Sequence, residues 1–139
     1  MKISARNQLK GVVELIQQGK VNSEIYIKLN SGYTIVSVIT NTAVKNLDLN
    51  INDVVTAIFK SSSVLLTSDL TLNISARNKL QGVIENMYLG EVTSEISIDI
   101  GSKDKVISVI TANSLKNMHL KLGNSVSAII KATDVMIGK

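Results

Sequence analysis

The sequence predicts an all-β protein: two small β-barrels in tandem, each carrying one short helix. Three observations predict it. First, the chain repeats itself: residues 2–68 align with 73–139 without a gap, and 28 of the 67 pairs are identical, which makes duplication the leading architectural fact. Second, each copy holds several runs of alternating or β-branched apolar residues of strand length. Third, turn-forming residues recur between those runs at matching places, Gly19, Asn30-Ser31-Gly32 and Asn52-Asp53 against Gly90, Gly101-Ser102 and Gly123-Asn124.

Taken in chain order, the first strand of each copy spans residues 8–17 and 79–89. The second is SEIYIKLN at 23–30 and SEISIDI at 94–100. Its alternation puts Ile25, Ile27 and Leu29 on one face and Glu24, Tyr26 and Lys28 on the other, as in a strand with one buried side. TIVSVI at 34–39 and KVISVI at 105–110 are nearly all apolar and read as more fully buried strands. NTAVKNLDL at 41–49 and ANSLKNMHL at 112–120 switch to helical spacing, with Asn41 or Thr42 available as a cap. Strands resume at 54–60 and 126–131, and a short last one follows at 64–66 and 135–137. Four or five short strands with a helix before the fourth suit a barrel of the OB type. The domains are therefore 1–68 and 73–139, joined at about 68–72. That joint has no glycine or proline, so a short, stiff connection is expected. A unit this small buries little of its surface alone, so extensive contact between copies is expected as well.

Composition narrows the function. There is no cysteine, which excludes disulfides, a thiol nucleophile and thiolate-held metals. The N-terminal MKISARNQ turns polar at once, unlike a secretory signal. No apolar run approaches the ~18 residues of a membrane span. A soluble, cytoplasmic protein with no membrane partner is the expectation. The net charge of +4 is shared evenly between the halves, without a basic tail.

Apolar positions vary conservatively between copies, so the polar residues kept in both are the informative ones. They include Ser4/Ser75, Arg6/Arg77, Asn7/Asn78, Ser23/Ser94, Glu24/Glu95, Ser37/Ser108, Thr40/Thr111, Lys45/Lys116, Asn46/Asn117 and Lys60/Lys131. Each has a plain structural reading: arginine solvated at a strand start, lysine snorkelling off a barrel rim, threonine capping a helix, glutamate exposed on a strand, Lys45 and Asn46 on the helix surface and at its C-terminal cap. Taken together they say more. A serine, an arginine, a threonine and a lysine per copy, all near strand ends, suit a small oxyanion, which offers acceptor oxygens and asks for donors. The small, polar segment Ser4-Ala5-Arg6-Asn7 can also aim backbone N–H groups at one point.

The chain closely resembles the molybdenum-pterin-binding (Mop, or molbindin) family in its tandem form. The matching elements are ISARNQLKG and ISARNKLQG, VNSEI and VTSEI, IVSVIT and VISVIT, and VTAIFKSSSVLL and VSAIIKATDVMI. The resemblance covers both halves. It implies OB-type barrels of the Mop/TOBE kind that bind molybdate or tungstate in the cytoplasm for storage or homeostasis. It further implies a homotrimer of six barrels, with anions at interfaces between barrels. Carried over, the binding residues are Ser4, Ala5, Arg6, Thr40 and Lys60 in copy one. In copy two they are Ser75, Ala76, Arg77, Thr111 and Lys131, with Ser114 added where copy one has Ala43. Asn22, Ser23, Thr93 and Ser94 are candidates for axial oxyanion sites. No cofactor and no free metal cation is expected.

Two other readings compete. A nucleic-acid-binding OB domain needs a stacking platform of aromatics. The aromatics are only Tyr26, Tyr33, Phe59 and Tyr88, and none is aromatic in both copies, so no nucleic-acid partner is expected. An oxyanion-sensing regulatory subunit would need a DNA-binding partner, since the chain shows no helix-turn-helix. Catalysis is not expected: there is no G-x-S-x-G, H-E-x-x-H or phosphate-cradling glycine loop, and the single His119 answers Asp48 in the other copy.

Overall fold

The computed structural model describes residues 2–139. Copy one contributes β1 (Asn7–Gln18), β2 (Asn22–Leu29), β3 (Thr34–Thr40), α1 (Asn41–Asn46), β4 (Val54–Phe59) and β5 (Leu65–Thr67). Copy two contributes β6 (Asn78–Tyr88), β7 (Thr93–Gly101), β8 (Asp104–Thr111), α2 (Ala112–Asn117), β9 (Ser125–Ile130) and β10 (Met136–Gly138). A 3-10 turn, Ser61–Ser63 or Ala132–Asp134, precedes each last strand. Among the described residues no helix is long and apolar enough to cross a membrane.

The strands form two five-stranded antiparallel sheets, and their order carries the main surprise. The first runs β10-β4-β1-β2-β3, the second β5-β9-β6-β7-β8. Each copy thus hands its last strand to the other. Met136 lies opposite Ile58 and Gly138 opposite Thr56, while Leu65 lies opposite Ile129 and Thr67 opposite Ser127. The short last strands exist as the sequence predicts, one residue later at each start, but each closes the partner barrel.

The side chains inside are the ones the alternation selects. In β1, Leu9 and Val13 point inward while Gln8, Lys10 and Val12 point out. Ile25, Ile27 and Leu29 of β2 join them, and Phe59 is fully enclosed. The strict alternation is reset by a bulge at Glu14 and its mate Glu85. Glu14 accepts a hydrogen bond from Thr34 at 2.8 Å, and Glu85 from Ser97 at 3.0 Å. Gly11 and Gly82 are required by the close crossing of β1 on β2 and β6 on β7. A Cβ on Gly82 would stand 2.4 Å from the Asp99 carbonyl oxygen.

Two kept polar pairs belong to the seam between the copies. The Asn78 amide, buried, docks on β3 like one rung of a ladder: it donates to the Val36 carbonyl at 2.9 Å and accepts from the Val36 N–H at 2.7 Å. Asn7 does the same to Ile107 of β8, at 2.8 and 2.7 Å. Ser37 donates to the Val135 carbonyl at 2.5 Å and Ser108 to that of Val64 at 2.8 Å. These bonds satisfy edge groups that would otherwise be buried without partners.

Each helix is shorter than the sequence pattern suggests, six residues rather than nine. The reason is a left-handed residue at the stop, Asp48 (φ 49°) and His119 (φ 52°). Leu49 N–H returns to the Val44 carbonyl and Asp48 N–H to that of Lys45, a Schellman closure that turns Leu49 into the core. A histidine holds this conformation against a steric penalty. His119→Gly is therefore expected to raise stability by ~0.5–1 kcal/mol, the relief being partly offset by glycine's greater unfolded entropy. A chemical-denaturation midpoint would check it.

The joint is ordered. Thr71 N–H and hydroxyl both bind the Asp69 carboxylate, at 3.1 and 2.8 Å, and the Lys79 ammonium holds the Leu72 carbonyl.

Candidate functional site

The end of β4 and the segment before β1 meet because Asn7 lies opposite Phe59 in the ladder. That register brings Ser4-Ala5-Arg6 beside Lys60, the residue after Phe59. Together with Ile3, Ser61, Ser62 and Met136 they line a cleft of about 290 Å³. Copy two repeats the construction: Asn78 lies opposite Ile130, and Ser75, Ala76, Arg77 and Lys131 line a cleft of about 340 Å³ with Val38, Leu65, Ile74, Ala132 and Thr133. Sequence reasoning missed the residues after each lysine. Ser61 and Ser62 give the first cleft two more hydroxyls, where the second has Ala132 and Thr133. Their position directly after a kept strand-ending lysine was the available signal.

The cations in each cleft differ in their state. Among the described residues Lys60 and Lys131 make no ion pair within 4.0 Å. Both arginines are paired across the copies. Arg6 meets Glu95 of β7 through two hydrogen bonds, 3.1 and 2.6 Å. Arg77 meets Glu24 of β2 and donates to the Tyr26 hydroxyl at 3.0 Å, its guanidinium 5.9 Å from the ring centre. The Tyr26 hydroxyl, then Glu24, hold the Arg77 proton more firmly than in an ordinary arginine. Glu24 and Glu95 are therefore not merely exposed strand residues, as their alternation suggests; they are the counter-ions of the SARN arginines.

Thr40 and Thr111 line neither cleft within the chain. Each caps its helix: the Thr40 Oγ1 accepts from Ala43 N–H and the Thr111 Oγ1 from Ser114 N–H, both at 3.0 Å. The Ser114 hydroxyl sits against Thr111 at 2.9 Å. Thr40 and Thr111 lie across the ladder from Asn22 and Thr93, so the chain groups them with the axial candidates rather than with Arg6 or Arg77.

The axial candidates themselves sit in unlike surroundings. Ser23 lines a cleft with Gln18, Asn41, Thr42 and Lys45, but its hydroxyl is already donated to the Asn41 side chain at 2.6 Å. Thr93 and Ser94 line a cleft that also contains Glu95, whose carboxylate works against an anion there. The aromatics form no shared platform: Tyr26 supports Arg77, the Tyr33 hydroxyl donates to the Gln81 carbonyl at 2.7 Å, and Phe59 is in the core. Among the described residues no cluster of acidic, histidine or cysteine side chains could hold a metal cation.

Comparison with known proteins places this architecture. The TOBE domain model matches residues 3–66 and again 74–137. The molybdenum transport protein ModE of Azotobacter vinelandii is 38% identical over 137 residues, which is 99% of this chain and 51% of that protein. Molybdenum-pterin-binding protein 3 of Clostridium pasteurianum is 42% identical over 66 residues, 48% of this chain and 97% of its own. The chain thus spans about half the length of the first of these, and one copy matches nearly all of the second. A crystal structure of the cytoplasmic molybdate-binding protein ModG with molybdate bound superimposes with a TM-score of 0.95 at 36% identity, covering 99% of both chains. With two family matches that together span nearly the whole chain, the protein belongs to the TOBE domain family, as a tandem pair grouped with its molybdenum-pterin-binding members.

Proposed function

We propose that this chain binds molybdate and tungstate in the cytoplasm, for storage or homeostasis and without catalysis. One observation carries the reading most of the way. Twice in the fold, a SARN segment converges with an ion-pair-free lysine and small hydroxyl residues in one cleft. A tetrahedral dianion asks for charged donors, hydroxyls and N–H groups, and needs no general base. The fold-wide likeness to ModG, whose crystal form holds molybdate, supports the choice of anion. Ser4, Ala5, Arg6 and Lys60 hold the anion in one cleft; Ser75, Ala76, Arg77 and Lys131 hold it in the other. Thr40, Thr111 and Ser114 stand apart from both clefts within one chain. In our reading they complete the sites from neighbouring chains of a homotrimer of six barrels. Asn22-Ser23 and Thr93-Ser94 are the axial candidates of that assembly; the cleft that Ser23 lines holds Lys45, where the cleft of Thr93 and Ser94 holds Glu95.

Calorimetric titration with molybdate and with tungstate, alongside a solution mass measurement, tests this reading. More than one anion per chain and a trimeric mass are expected. Lys60→Ala and Lys131→Ala should each weaken binding at their own site by ~1.5–3 kcal/mol, the contribution of a charge-assisted hydrogen bond. A monomer that takes up neither anion would sink the reading; unchanged affinity in both variants would move the site elsewhere.

A further inference from the structure

Each SARN arginine has two claims on it. It lines its own cleft, and it is bound by a glutamate from the other barrel. We infer that Glu95 and Glu24 are affinity-setting residues: each holds the arginine of one cleft in an ion pair that an incoming oxyanion must share or displace. The inference rests on the oxyanion reading above and concerns how strongly those sites bind.

The geometry supports competition rather than assistance. A carboxylate can only accept, as an oxyanion can, so the two draw on the same N–H donors. Glu95 engages both terminal nitrogens of Arg6. Its negative charge also lies within a few ångströms of the cleft wall, where it offsets the field of Arg6 and leaves Lys60 as the uncompensated cation. The pair is poorly suited to a purely structural role. The side chains of Arg6 and Glu95 are 54% and 25% exposed, those of Arg77 and Glu24 47% and 30%. Pairs with a half-exposed arginine add only modestly to stability, with the bidentate Arg6–Glu95 pair the stronger of the two. The inter-copy seam is already fixed by the buried Asn78, Ser37 and Ser108 bonds and the part-buried bonds of Asn7. The glutamates are nonetheless present in both copies, each facing the arginine that lines a cleft with an ion-pair-free lysine.

The two clefts should respond differently. Removing the charge of Glu24 leaves Arg77 with a neutral partner, the Tyr26 hydroxyl, which keeps the guanidinium in place. Copy two has Ser97 where copy one has Tyr26, and Ser97 is directed to Glu85 instead. Arg6 therefore keeps only one neutral acceptor, the amide oxygen at position 95, when Glu95 is replaced by glutamine, and turns into its cleft more readily.

The test is calorimetric titration of the full chain with molybdate, using wild type, Glu95→Gln, Glu24→Gln and Glu95→Asp at fixed ionic strength. Both glutamine variants should bind more tightly, within the roughly three- to tenfold range expected from removing one nearby charge at high effective dielectric, with Glu95→Gln gaining more than Glu24→Gln because Tyr26 still holds Arg77. The aspartate variant should return towards wild type, and the gain should shrink with added salt. Thermal midpoints taken in parallel should move little, which separates affinity from folding. If wild type binds molybdate and both glutamine variants bind equally or less tightly, the inference is overturned and the oxyanion reading stands. If neither wild type nor any variant takes up molybdate, the oxyanion reading fails, and this inference with it.

Discussion

Ending the chain after Lys131 should unfold the first barrel while leaving the second with all five of its strands. The eight residues removed supply β10, the strand that covers β4. They also supply Val135 and Ala132, both buried, and Ile137, packed on the core. Losing Val135 alone costs ~1.5–3 kcal/mol of apolar burial. The Ser37 hydroxyl loses its acceptor in a buried setting, a further ~1–3 kcal/mol, and the β4 edge loses its ladder. The Val135 and Ser37 losses alone come to ~2.5–6 kcal/mol, and with the ladder bonds, Ala132 and Ile137 added the total is comparable with the whole stability of an ordinary domain. Amide exchange should show fast exchange throughout β1–β4, with protection kept in β6–β9, because Leu65–Thr67 still closes that sheet. Protection retained in β3 and β4 of the truncated chain would show that the crossed strand is dispensable.

Asn78→Leu is expected to destabilise the intact protein by ~3–5 kcal/mol. Leucine nearly matches asparagine in shape but can neither accept from the Val36 N–H nor donate to its carbonyl. Two buried backbone groups are then left unpaired, each at a cost of ~1–3 kcal/mol. Asn7→Leu removes the mate of this interaction, but its bonds to Ile107 are only partly buried. Water can reach those groups more readily, so the loss there should be smaller. Paired denaturant curves would show it: the Asn78 midpoint should fall further than the Asn7 midpoint, with similar slopes. Equal, small losses at both positions would mean that the amides are ornaments on a seam held by apolar packing.

The sequence shows the strands and helices of this fold clearly because their signals are local. Ile25, Ile27 and Leu29 alternate whatever they pair with, and Thr40 and Thr111 cap a helix by their own geometry. The crossed strands are invisible for the same reason. Val64–Leu66 and Val135–Ile137 have one pattern, and nothing within three residues says which sheet will take them. Partner choice is written in contacts far apart in sequence, such as Ser37 with Val135 and Ser108 with Val64. The candidate site was half legible. Ser4, Arg6 and Lys60 are drawn together by a strand register that the sequence only hints at, through a lysine kept at the end of β4 in both copies. Thr40 joins them as a polar residue kept near a strand end in both copies, and by resemblance, but within one chain it stands elsewhere. The glutamates went unread because an exposed strand position tolerates a glutamate for no reason at all; a charge kept in both copies opposite no local partner was the clue.

The crossed last strands have one more consequence, for the path of the chain as a whole. β1 and β10, its first and last strands, flank the same strand, β4. The two therefore lie in one sheet, on either side of a single strand. A permuted gene that reads copy two before copy one should fold to the same object, because the exchange of β5 and β10 is reciprocal and the remaining ladders lie within one copy. What the joint provides is proximity: it keeps two mutually completing halves together at high local concentration, so that neither has to find its other half in solution.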